Sequence, residues 1–179
     1  MLTIDDTILL VIDVQGRLAE VMHNKERLFA NVQRMIQGAY VLDLPIVVTE
    51  QVPDKLGETR PEIAQYLDGV TPIAKRSFSC CGNETFMETM ADLSRKQILV
   101  TGIETHVCVY QTVVDLLYQG YEVQLVTDAV SSRTPENRQL GIDRMKAAGV
   151  GLTGTEMALF ELLRIADGSA FRAISKIVK

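Results

Sequence analysis

The sequence predicts a doubly wound α/β fold, a parallel sheet of six strands between two layers of helices. Three observations predict it. Short apolar runs alternate with stretches of helical periodicity along the whole chain. The runs are apolar on both faces, as in strands covered by helices on both sides. Asp13, Glu50, Lys75, Gly102 and Asp128 all fall near the C-terminal ends of these runs, where open parallel sheets gather ligands.

Thr7 to Val14 (TILLVIDV) reads as the first strand, with Asp13 at its tip. Leu18 to Leu42 carries an apolar stripe at three- and four-residue steps (Leu28, Val32, Met35, Ile36) and predicts one helix. Leu44 to Thr49 is the second strand, with Pro45 tolerable at its start. Glu50 to Arg60, with Pro53 and Gly57, reads as a loop, and Pro61 opens a short helix through Leu67. Thr71 to Ala74 is the third strand, Ser77 to Gly82 a loop and Glu84 to Leu93 a helix. The fourth strand centres on Ile98-Leu99-Val100, and a helix begins at Cys108. Tyr121 to Thr127 is the fifth strand, and Asp128 to Arg133 a loop. Thr134 then Pro135 mark the N-cap and first residue of a helix running to about Ala148. Val150 to Thr153 is the sixth strand, Thr155 to Ala166 the last helix, and a short basic tail follows.

The 179 residues suffice for one domain with a sizeable core. A net charge of −5 argues against nucleic acid as a partner, because phosphate neutralisation needs clustered Lys and Arg. No apolar run approaches the roughly 20 residues of a membrane span. Asp5 and Asp6 stand where a secretion signal carries bases. Three cysteines, two of them adjacent (Cys80-Cys81), make no disulfide framework. A cytoplasmic location is expected, and two histidines are too few for a histidine-rich metal site.

Cys108 stands where a strand hands over to a helix. Unpaired N–H groups at a helix start favour thiolate over thiol and can hold an oxyanion beside the sulfur. Three polar residues at three strand ends, Asp13, Lys75 and Cys108, make coherent chemistry. The thiolate attacks an sp² carbon, the carboxylate moves the proton, and the lysine orients both. Taken singly, Asp13 reads as a cap, Lys75 as a surface lysine and Cys108 as a small buried hydrophobe. Cys80-Cys81 reads as loop packing, and His106 as a residue facing away from the nucleophile.

The segments ILLVIDVQ around Asp13, PIAKRSFS around Lys75 and VTGIETHVCV around Cys108 resemble, in order and spacing, the isochorismatase-like cysteine hydrolase superfamily. The resemblance spans essentially the whole chain and is strongest to the isochorismatase domain-containing proteins. It implies strand order 3-2-1-4-5-6 and a triad of Asp13, Lys75 and Cys108. It also implies a cis peptide at Ile103-Glu104 and an oxyanion hole from the backbone N–H groups of Glu104 and Cys108. Nicotinamidases of the superfamily hold a metal on an Asp-x-His loop with further histidines. This chain has Thr49-Glu50-Gln51 there and no histidine between His23 and His106, so no metal is expected. True isochorismatases lack the cysteine, so Cys108 argues against vinyl-ether cleavage.

The expected function is hydrolysis of an amide or carbamoyl C–N bond of a small molecule through a thioester, without a cofactor. Gln15, Glu50, Gln51 and Phe78 follow strand ends and are expected to shape the pocket. A homo-oligomer is expected from the resemblance, with the apolar segment Ala170 to Val178 as a contributor. Two other classes stay open: a catalytically silent interaction protein of the same fold, and a thiol redox protein pairing Cys108 with Cys80 or Cys81.

Overall fold

A computed structural model describes Met1–Lys179. Six strands, β1 (Thr7–Ile12), β2 (Ile46–Gln51), β3 (Ile73–Lys75), β4 (Gln97–Ile103), β5 (Glu122–Ser131) and β6 (Gly151–Thr153), pair in the order β3-β2-β1-β4-β5-β6. Every pairing is parallel. Strand order reverses between β1 and β4, the switch point at which such sheets bind ligands.

Alternation along β1 divides the core. Leu9 and Val11 face one layer, with Val48, Leu99 and Val126. That layer is closed by α2 (Lys25–Val41), α4 (Pro61–Ala64), α8 (Thr155–Leu163) and α9 (Gly168–Ile177). Ile8, Leu10 and Ile12 face the other, with Val47, Val100 and Leu125. It is closed by α5 (Glu84–Leu93), α6 (Tyr110–Tyr118) and α7 (Pro135–Ala147). Local signals set several boundaries as expected. Thr134 caps α7 by accepting the Asn137 N–H at 3.2 Å, and Asn83 caps α5 by accepting the Phe86 N–H at 2.9 Å.

Tertiary pairing overrides periodicity in six places. The helix expected over Leu18–Leu42 is two, α1 (Gly16–Glu20) and α2, separated by a turn with Asn24 at φ 52°. The turn is pinned from outside: the His23 N–H donates to Ser132 O at 2.8 Å, and the Ser131 hydroxyl donates to His23 O at 2.6 Å. β2 runs on through Gln51 because Glu50 and Gln51 pair with Ala74 and Lys75. One helical turn, α3 (Pro53–Leu56), lies in the segment read as loop, and α4 stops at Ala64. β5 absorbs the expected loop as far as Ser131, pairing again with β4 after an irregularity between Val100 and Gly102. The helix expected to start at Cys108 starts at Tyr110, preceded by a π-helical turn over Thr105–Val109.

The tail, lastly, is the amphipathic helix α9. Its Ile174 is fully buried, and Ala170, Ile177 and Val178 pack on the α2 layer. The apolar segment read as an oligomer contributor thus packs its Ile174 face on the chain's own core. No helix is long and apolar enough to cross a membrane.

One glycine governs how β4 meets β1. Gly102 has φ +117°, and a Cβ there would lie 2.1 Å from Ile12 O and 2.6 Å from Ile12 N. Both the torsion and the approach forbid a side chain. We expect Gly102→Ala to destabilise the fold by about 3 kcal/mol or more. Thermal unfolding should register a fall of roughly 6–12 °C; an unchanged midpoint would contradict this packing.

Candidate active site

Asp13 follows the last residue of β1 with φ 53°, a left-handed conformation that aspartate tolerates better than most residues. Its N–H is tied to Thr49 O at 3.1 Å. Both carboxylate oxygens are occupied: the Thr49 hydroxyl donates to Oδ1 at 2.8 Å, and Lys75 Nζ donates to Oδ2 at 2.7 Å. The side chains of Asp13 and Lys75 are 1% and 0% exposed. Nζ also faces Gln51 Oε1 at 2.8 Å, Phe78 O at 3.0 Å and Ser77 O at 3.2 Å. A buried ammonium and carboxylate lose hydration worth several kcal/mol each, offset only when every proton and lone pair finds a partner. Here the acceptors come from β1, β2 and the loop after β3.

Cys108 lies in the π-helical turn beyond the end of β4 and is 8% exposed. Burial pushes its thiol up to about 12; the Asp13 carboxylate pushes the same way, and the Lys75 ammonium opposes. That direction favours a neutral thiol over the thiolate expected from a helix start. α6 itself begins two residues later, at Tyr110. The Ile103-Glu104 peptide is cis. The Glu104 carbonyl accepts the N–H groups of Val107 and Val109 at 3.0 and 3.2 Å, while no acceptor within the chain takes the Glu104 N–H. The Glu104 side chain is drawn outward, accepting from Arg133 Nε at 2.7 Å.

The isochorismatase domain model matches residues 7–157, a span holding all of these groups. The chain belongs to the isochorismatase family. Two curated relatives agree: the secreted isochorismatase effector Isc1 of Phytophthora sojae is 36% identical over 97% of this chain and 84% of its own. Isochorismatase domain-containing protein 2A of Mus musculus is 34% identical over 98% of this chain and 84% of its own. Among solved structures, the MAR1 ribonuclease of Caenorhabditis elegans superposes with TM-score 0.93 at 32% identity, covering 99% of this chain and 91% of that one. YcaC from Pseudomonas aeruginosa, solved with hexane-2,5-diol and covalent acrylamide, gives 0.92 at 27%, covering 98% and 90%.

In this isochorismatase-family chain the residues expected to shape a pocket divide by role. Gln15 is fully buried as a strut. Its Nε2 donates to Gln51 O at 3.0 Å and Gly57 O at 2.6 Å, and its Oε1 accepts the Gln51 N–H at 2.6 Å. Glu50 clamps the same stretch, its Oε1 accepting from the N–H and hydroxyl of Thr59, both at 2.6 Å. Gln51 spans Lys75 and Arg76 O. Only Phe78 turns its side chain to solvent, at 55% exposure. Gln15, Glu50 and Gln51 thus support the site from behind.

Thr49, which sequence reasoning missed, fixes the second carboxylate oxygen of Asp13. Cys80 is buried against it, its Sγ donating to the Thr49 hydroxyl at 3.7 Å. All three cysteines are free, and burial pushes Cys80 and Cys81 up to about 11 and 12. His106 Nδ1 bonds Ser132 Oγ at 3.0 Å, away from the sulfur. No group of three or more His, Cys, Asp or Glu side chains is placed to hold a metal ion.

Two outcomes follow from this geometry. Lys75→Met leaves a buried carboxylate without its counter-charge, so chemical denaturation should show a loss of about 3–5 kcal/mol. Removing both charges in Asp13→Leu/Lys75→Met should cost less than the sum of the two single changes; a cost equal to that sum would show that the pair is not coupled. The raised thiol also sets a pH dependence. Iodoacetamide labelling of Cys108 should be slow at neutral pH and keep rising beyond pH 9 towards about 12; a plateau near neutrality would contradict the neutral thiol.

Proposed function

We propose that this protein is a cysteine hydrolase that cleaves an amide or carbamoyl C–N bond of a small molecule. The observation that carries the proposal is the buried Asp13–Lys75 pair, whose charges both act on the Cys108 thiol at the end of β4.

As the substrate carbonyl enters, the Cys108 sulfur bonds to its carbon while the thiol proton passes to Asp13. The carbonyl oxygen becomes an oxyanion held by the N–H groups of Glu104 and Cys108. Asp13 gives the proton to the leaving nitrogen, the C–N bond breaks, and a thioester remains. Water then attacks the thioester with Asp13 as base, the C–S bond breaks, and the sulfur recovers its proton. Lys75 holds the carboxylate in place and balances its charge through both halves. No step calls on a cofactor.

The covalent acrylamide on the Pseudomonas aeruginosa protein is the kind of adduct an activated alkene forms with a nucleophile. Carried to this chain, it favours a nucleophilic side chain over a silent site. The ribonuclease name of the Caenorhabditis elegans protein suggests phosphodiester chemistry instead. A net charge of −5 offers little attraction to a phosphate backbone and favours a small substrate.

The test is a screen of small amides and carbamoyl compounds for released ammonia or amine. With an active compound, Cys108→Ala should abolish turnover, and Asp13→Asn should lower kcat by about 10²–10⁴-fold, both with unchanged circular dichroism. Undiminished turnover by folded Cys108→Ala would overturn the mechanism.

A further inference from the structure

A polar cavity of about 100 Å³ opens over the C-terminal half of β5, bordered by the start of α2 and by α7. Its lining includes Arg27, Arg138, His23, Ser131 and Asp128. None of Asp13, Lys75 and Cys108 lines it. From the two arginines we infer that this cavity binds a small tetrahedral oxyanion, a phosphate group or its free ion, apart from the Cys108 site.

Arg138 is half-buried and held in place. Its Nε donates to Val130 O at 3.0 Å and one Nη donates to Thr127 O. A guanidinium has five N–H donors, so those bonds leave an edge of the fork free for another acceptor. Neither Arg27 nor Arg138 belongs to any of the chain's five ion pairs. Both line the cavity; burial pushes Arg138 down, the Arg27 charge pushes the same way, and the Asp128 carboxylate opposes. Two guanidiniums lining one cavity repel each other, and an anion between them relieves that repulsion.

The Asp128 carboxylate in the lining offsets part of this positive charge. Asp128 Oδ1 accepts from the N–H and hydroxyl of Thr155 at 2.8 and 2.9 Å, which anchors it towards α8. The rim is preorganised, since Ser131 Oγ is fixed on His23 O. The α2 amino terminus, where Asn24 makes no side-chain cap, adds its field to that of the guanidiniums. Arginine forks match the oxygens of phosphate bidentately, and the volume admits one such group.

The experiment is calorimetric titration of the full chain with inorganic phosphate and, separately, glycerol phosphate, against chloride at matched ionic strength. Saturable binding of either is expected, with a higher unfolding temperature. Equal affinity for the two would assign the free ion as sufficient; tighter binding of the ester would assign a phosphorylated small molecule. Arg27→Ala changes an exposed side chain without an ion pair and should weaken binding at least tenfold while the fold is kept. Arg17→Ala, an exposed arginine outside the cavity, should leave binding unchanged. No saturable binding beyond the chloride reference, or equal affinity in Arg27→Ala, would overturn the proposal.

Discussion

One buried ion pair organises the C-terminal edge of the sheet. Lys75 Nζ and Asp13 Oδ2 stand 2.7 Å apart with both side chains out of water. Such a pair survives only if the surrounding polar groups complete both ions. The neighbouring architecture serves that need. β2 supplies Thr49 to the carboxylate and Gln51 to the ammonium. The turn after β3 folds back so that two backbone carbonyls reach Nζ. Gln15 and Glu50 in turn hold Gln51 and the 57–59 stretch in register.

The same surroundings act on the thiol. Burial pushes Cys108 up, the Asp13 carboxylate pushes the same way, and the Lys75 ammonium opposes, which together favour a protonated sulfur. In the proposed mechanism the sulfur relies on a base that receives its proton as the new bond forms, and Asp13, fixed through both oxygens, is the group proposed for that role. The absence of a side chain at Gly102 lets β4 lie against the end of β1, bringing the approach to Cys108 alongside Asp13.

The sheet was legible because its strands are buried on both faces and read as continuous apolar runs. Asp13, Lys75 and Cys108 were legible as polar residues at strand ends, and the family resemblance joined them. What escaped depends on partners far along the chain. The break between α1 and α2 is held by Ser131 and Ser132, more than a hundred residues away. The α9 stripe looked like a surface until α2 was found beneath it. Thr49 and Gln51 carry no one-dimensional mark of their roles, since each acts across a strand pairing. The upward push on the Cys108 thiol was hidden for a related reason: a helix start is visible in sequence, whereas burial and the carboxylate that follows β1 are not.

The measurement that tests the central claim most directly is rapid-quench intact-mass spectrometry during turnover of an active amide. An acyl group that appears on Cys108, decays at the steady-state rate and is missing from the Asp13→Asn protein is the predicted result. Turnover with no acyl group at Cys108, at any quench time and under conditions where deacylation is slowed, would contradict the account.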